Sequence, residues 1–266
     1  MNRYLYLDIE TIPAQRPDVL EEIRESKQAA LDDAMAAIKP PGNYKKEETI
    51  AEWLATEGPK QARAITDAYA ADVEASYRKT GLDGAFGQIA VIGFALDGGA
   101  PRTVWATEWD LPATERGLLA AFYCDLAAMI PANQERGITV IGHNVANFDL
   151  RFMVQRSIVN GLRPHPIIAS AAQAKPWEGE KVFDTMVQWS GIGSRITLDK
   201  LCKALSIPTP KTGITGAQVW DEVKAGRIAD VAAYCARDVE ATRAAHRRLT
   251  FQTAPAAQPE LADLDF

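Results

Sequence analysis

The sequence predicts an α/β fold built on a mixed sheet with helices on both faces. Three observations carry this. A short alternating strand opens the chain. Two β-rich runs joined by the Gly-rich turn "DGGAP" read as a hairpin, and beyond the hairpin strand-like and helix-like segments alternate. The chain has 266 residues, 47% hydrophobic and 24% charged, which is globular composition and leaves no room for a fibrous or disordered reading.

The opening strand, Arg3–Ile9, places aromatic and aliphatic side chains alternately, and Thr11–Ile12–Pro13 is expected to end it. A helical insertion follows over about 14–86. "RPDVLEEIRESKQAALDDAMAAIK" reads as one helix broken by Pro40–Asn43, "EETIAEWLA" as a second, and about Pro59–Lys79 as a third. "GQIAVIGFALDGG" and "RTVWATEW" form the hairpin. Then come a helix over about Thr114–Met129, a strand in "GITVIGHN", a helix over about Phe148–Asn160 and a strand in "KVFDTM". Helices near Thr197–Leu205 and Ala217–Ala225 precede a long one over about Ile228–Thr250. Residues 1–251 are thus expected to form one domain with its insertion, and 252–266, rich in Ala, Pro and Gln, a flexible acidic tail.

Composition excludes several functions. No apolar run approaches the roughly 20 residues of a membrane span, and Asp8 and Glu10 interrupt any leader-like apolar stretch. Three isolated cysteines suit buried thiols in a reducing cytoplasm. Three histidines without a CxxC pair argue against a soft-ligand zinc site. The net charge of −6 excludes a blanket electrostatic grip on nucleic acid, so any such substrate is held in a local groove or through metal ions.

The acidic residues carry the chemistry. Asp8 and Glu10 lie at i and i+2, on one face of a strand and about 6.5–7 Å apart along it. Taken alone they read as a solvated strand end. Asp149 follows another strand end, where Asn144 and Asn147 are placed to cap the next helix and Asp149 to complement its dipole. Tyr234 and Asp238 are one turn apart on the last helix, a spacing that also serves a plain hydrogen bond. Four carboxylates converging on one sheet edge without soft ligands suit two hard cations, Mg2+ or Mn2+. Such a pair activates water and stabilises a leaving phosphate oxygen.

The ordered set D-I-E-T, N-x-x-x-F-D and Y-x-x-x-D resembles the DEDDy branch of the DEDD 3′–5′ exonucleases, which share an RNase H-like five-stranded mixed sheet. The chain is most similar there to stand-alone predicted exonucleases related to the proofreading domain of family B DNA polymerases. "VFDTM", "LDKLCKALSIP" and "GITGAQVWDEVKAGRIADVAAYCARDVEAT" extend the likeness. The resemblance implies that Asp8 bridges both metals, that Glu10 and Asp238 complete the first site and that Asp149 holds the second largely through water. It implies that Tyr234 orients the attacking hydroxide. Asn144 and Phe148 would then shape the pocket for the 3′-terminal nucleotide, with Thr11 and Ile12 near the 3′-OH, Lys211 at a phosphate, and Asp184 supporting or salt-bridged. The implied substrate is the 3′ end of DNA, single-stranded most readily. The alternatives are an exoribonuclease, a non-catalytic nucleic-acid or replisome adaptor, and a small-molecule phosphohydrolase. Lys45, Lys46, Lys60 and Arg63 would touch phosphates if the insertion covers the site. The tail's "ELADLDF" resembles short replication-protein docking peptides.

Overall fold

A computed structural model describes residues 3–111, 113–175, 178–209 and 213–252. Lys211 and the tail from 253 onward, including its docking-like end, lie outside the described residues. The chain divides into two compact units, one comprising residues 1–12 with 88–266 and the other Pro13–Gly87.

The first unit is an RNase H-like α/β fold. Its five strands are β1 (Arg3–Ile12), β2 (Gln88–Leu96), β3 (Arg102–Val104), β4 (Ile138–Gly142) and β5 (Val182–Asp184). They lie in the order β3-β2-β1-β4-β5. β1 pairs antiparallel with β2 and parallel with β4, and the outer pairs are β2–β3 antiparallel and β4–β5 parallel. β1 is longer than expected: it runs through Thr11 to Ile12, so the acid pair lies within the strand and not after it. The reason is β2, which continues to pair with β1 as far as Ile12 opposite Gln88. A register shift between Glu10 and Thr11 marks a β-bulge there. β4, by contrast, pairs only with Arg3–Tyr6. The acids therefore sit on the stretch of β1 that β4 leaves uncovered.

β3 is shorter than "RTVWATEW" suggests. It stops at Val104 on the sheet edge, and Trp105 is already exposed. Seven helices accompany this sheet among the described residues. They are α3 (Thr114–Met129), α4 (Asp149–Val159), α5 (Pro166–Ala172), α6 (Thr185–Ser190), α7 (Leu198–Ala204), α8 (Val219–Lys224) and α9 (Ile228–Leu249). The short α5 and α6 fall below the length at which apolar periodicity is readable.

Period-two alternation sorts β1. Leu5, Leu7 and Ile9 enter the main core with residues of α3, α4 and α5, and Tyr6 packs on the other face with Val239 of α9. Asp8 and Glu10 share the Tyr6 face, the one α9 covers.

The second unit holds α1 (Pro17–Ala36) and α2 (Glu47–Lys79). α2 is one helix where two were expected, because it runs through Pro59. The carbonyl that Pro59 frees, on Ala55, is on an exposed residue where water can satisfy it. Lys27–Asp72 and a Tyr69 hydroxyl bond to the Arg24 carbonyl join the two helices. Lys60 and Arg63 pair with Glu57 and Asp67 along α2, and Lys45 and Lys46 are exposed. Among the described residues no helix is long and apolar enough to cross a membrane.

Candidate metal centre

The site is assembled where β1 outruns β4. Past Tyr6 the β4-facing edge of β1 has no strand partner, and the main-chain N–H of Ile9 is one of the groups left over. The Asp149 carboxylate accepts it at 3.0 Å. Asp149 is the first residue of α4 and is 3% exposed, so the start of that helix is tied to the acid-bearing stretch of β1.

The other half comes from α9. Gly93 of β2 lies opposite Asp8, and a Cβ built on it would stand 2.6 Å from the Cys235 sulfur and 3.2 Å from Val239. A side chain there would push the helix away. Without one, α9 settles close to the sheet, and the Cys235 thiol approaches Asp8 Oδ2 at 3.3 Å and its carbonyl at 3.6 Å. One ligand atom each from Asp8, Glu10 and Cys235 lie within 4.8 Å of one another. Cys235 and Asp238 are three residues apart and Tyr234 and Asp238 four, so all three share one face of α9. Tyr234 and Asp238 line a cavity of about 250 Å3 with Thr197, Leu198, Asp199, Thr215 and Gly216.

The electrostatics are those of an uncompensated cluster. Burial, then Glu10, Asp149 and Asp238, push the Asp8 carboxyl well above the usual carboxylate range. Burial, then Asp238 and Asp149, do so to Glu10. Asp149 is pushed up to about 7 by burial, against the pull of its main-chain hydrogen bonds. Asp238 is pushed up to about 6 by burial, with Tyr234 and Arg237 opposing. The Tyr234 phenol is raised by burial and then by Asp238 and Glu10, so it keeps its proton. Among the described residues none of the four acids forms an ion pair, and Asp238 Oδ1 is buried without a hydrogen-bond partner. Hard oxygen donors, like charge and an orphaned carboxylate oxygen together fit divalent cations of the Mg2+ or Mn2+ kind.

The remaining predicted residues divide. Asn144 sits at φ 67°, the left-handed turn after β4, and its N–H is held by Asp184 at 3.0 Å. Asp184 also accepts from Ala146 N, Met186 N and Val187 N, so it supports the turn through main-chain bonds and not through a salt bridge. Neither Asn144 nor Asn147 caps α4, whose N-cap position is Phe148 without a side-chain bond. The turn is closed instead by Asn147 N and Phe148 N on the Asn144 carbonyl. Phe148 is half-buried and packs in a tilted arrangement against Phe152, ring centroids 5.4 Å apart. Thr11 is half-buried; Ile12 is 1% exposed and can offer only main chain.

Three contributors escape the sequence reading. Gly93 had a signal, an isolated glycine amid the branched and aromatic residues of a strand. Cys235 had none beyond its place beside Tyr234. His143 bridges Thr185 Oγ1 (2.9 Å) and the Ile196 carbonyl (2.8 Å), and burial lowers its proton affinity, so it braces the turn as a neutral ring.

A family model described as a predicted 3′–5′ exonuclease related to the exonuclease domain of PolB matches residues 85–256. No curated protein sequence matches the chain. The matched region contains Asp149, Tyr234 and Asp238 but not β1, so Asp8 and Glu10 join the site through its geometry and the D-I-E-T motif, not through that match.

Proposed function

Since the chain belongs to that family of predicted PolB-type 3′–5′ exonucleases, we propose that it removes nucleotides from the 3′ end of DNA, single strands most readily. In this reading Asp8, Glu10, Asp149 and Asp238 hold two divalent cations, Mg2+ or Mn2+. The observation that carries the proposal is the unpaired, mutually raised acid cluster on the β1 stretch that β4 leaves open.

Two such ions, when bound, supply an activated water and neutralise charge at the leaving oxygen of a phosphodiester. The chain's residues do the rest. Asp8, whose carboxyl feels Glu10, Asp149 and Asp238 together, would serve both ions, and Glu10 and Asp238 would complete the first. Asp149 has one oxygen committed to Ile9 N–H, which leaves a single oxygen for a ligand or water and suits an indirect hold on the second. Tyr234 stays protonated, so its hydroxyl can donate and accept at once, as a group that aligns a nucleophile must. Asn144 and Phe148, in the turn that Asp184 and His143 brace, shape the space for the terminal nucleotide, and Thr11 with the Ile12 main chain lies near the 3′-OH.

The test is a 5′-labelled single-stranded oligonucleotide incubated with the purified protein and Mg2+ or Mn2+, with matched RNA alongside. A descending ladder on DNA that EDTA, Asp8→Ala and Asp238→Ala each abolish is the expected result. Activity undiminished in those variants removes the assignment, and RNA cut faster than DNA turns it to an exoribonuclease. Tyr234→Phe is expected to slow cleavage by about 10²–10³-fold with metal binding retained.

A further inference from the structure

Cys235 has no part in the function proposed above, yet it is the best-placed donor in the cluster after the acids. Its side chain is 0% exposed and lies behind Asp8, shielded from bulky reagents but facing the oxygens that hold a cation. Zinc bonds to sulfur at about 2.3 Å and to carboxylate oxygen at about 2.0 Å, so a tetrahedral S···O edge measures about 3.5 Å. The observed Cys235 Sγ to Asp8 Oδ2 distance is 3.3 Å. The third donor, Glu10, lies within the same 4.8 Å envelope. Asp238, three residues along α9 from Cys235 and 8% exposed with Oδ1 unengaged, lies outside that envelope, so solvent would supply the fourth ligand. Mg2+ gains nothing from a thiolate, whereas zinc and cadmium do, and zinc also stands above Mn2+ in affinity for any common ligand set.

We propose that Asp8, Glu10 and Cys235 form a mixed oxygen–sulfur site that captures a thiophilic divalent cation, zinc in the cell, and that this capture arrests the enzyme. On binding, the Cys235 S–H bond breaks, its proton passes to solvent and a metal–sulfur bond takes its place; no oxidant or reductant is needed. The arrest rests on the nuclease reading because it draws Asp8 and Glu10 out of the arrangement that serves Mg2+. The site itself does not.

Cadmium alone, added to metal-stripped full-length protein carrying Cys124→Ser to silence the exposed thiol, is the probe. One equivalent is expected to raise an ultraviolet sulfur-to-cadmium charge-transfer band, and Cys235→Ser to remove it while circular dichroism and melting stay those of the parent. Asp8→Asn, which keeps the thiol, is expected to weaken cadmium binding about tenfold or more. Should Cys235→Ser not fold, cadmium NMR of the unsubstituted protein decides: a resonance shifted downfield by sulfur supports the site, and one in the all-oxygen range overturns it. A band that persists in folded Cys235→Ser also overturns it. In the cleavage assay, zinc near stoichiometric levels is expected to stop Mg2+-supported turnover, and Cys235→Ala to need about tenfold more zinc relative to its own uninhibited rate. A band in a protein that cleaves nothing upholds the site and fails the nuclease. Cleavage without a band does the reverse.

Discussion

The two units of this chain are held together by different means. In the sheet unit, eight of the nine β2 residues are buried, and outside the acid cluster a buried charge can be tied down by several partners at once. Glu115 shows how: 5% exposed, it accepts from Arg156 (2.7 Å), Asn160 (2.7 Å) and the Ile89 N–H beside the β-bulge (2.8 Å). One carboxylate thus ties α3, α4 and β2, and α4 carries Asp149. The helical unit buries Val19 from α1, and Trp53, Gly58 and Val73 from the 33 residues of α2. Its helices rely on Ala-rich propensity and exposed ion pairs, each of which contributes little. Buried packing and buried ties are concentrated in the unit that carries the acids.

The sharpest way to break the comparison is Glu115→Ala. It leaves Arg156 charged and buried, and a loss of about 3–5 kcal/mol is expected in denaturant unfolding. A loss below about 1 kcal/mol would mean that the ion pair does not order the sheet unit. Next is Trp53→Ala, which removes one of the few buried side chains of α2. Its cost, about 3 kcal/mol, is expected to fall locally. Hydrogen exchange should speed up over 47–79 and stay unchanged over β2, and an equal rise in both would make the units one cooperative body. In the unsubstituted protein, amides of α1 and most of α2 are expected to exchange well before those of β1 and β2.

Gly93→Val tests what the absence of a side chain accomplishes. The added methyl groups meet Cys235 and Val239, so a cost of about 1–3 kcal/mol is expected. Loss of metal binding should accompany it even where the protein stays folded, and unaltered Mn2+ affinity would contradict the role given to the close approach of α9.

The smallest effect concerns pH. A carboxyl whose affinity for its proton is raised by folding keeps that proton where the unfolded chain has released it. Asp149 at about 7 and Asp238 at about 6, against an unfolded value near 4, therefore make folding take up protons across that window. Stability without metal should fall as pH rises through it. In EDTA the Tm is expected to be higher at about pH 5 than at about pH 8, and Mn2+ should recover the difference at the higher pH. Asp149→Asn, which can still accept from Ile9 N, should flatten the slope, and an unchanged slope would place the proton uptake elsewhere.

Much of this was legible in the sequence, for reasons particular to each element. Long periodic segments such as Thr114–Met129 and Ile228–Leu249 announce themselves because an amphipathic stripe repeats over several turns. The acids of β1 and α9 were legible as a set because their spacings repeat a family order. What escaped was set by tertiary packing. The end of β1 depends on how far β2 pairs with it, and α2 passes Pro59 where the freed carbonyl belongs to an exposed residue. The turn after β4 is held by Asp184, 40 residues away, and by main-chain bonds to the Asn144 carbonyl, not by asparagine side chains capping α4. Cys235 looks like any buried thiol until Gly93 lets it reach Asp8.

If Asp8, Glu10, Asp149 and Asp238 form one centre for two cations as proposed, Asp8 would serve both ions and Glu10 one. Counting Mn2+ by calorimetry, with a nucleoside monophosphate product present, tests it most directly. Two ions are expected in the unsubstituted protein, one in Glu10→Gln and neither at comparable affinity in Asp8→Asn. Two ions bound undiminished by Asp8→Asn would contradict the account.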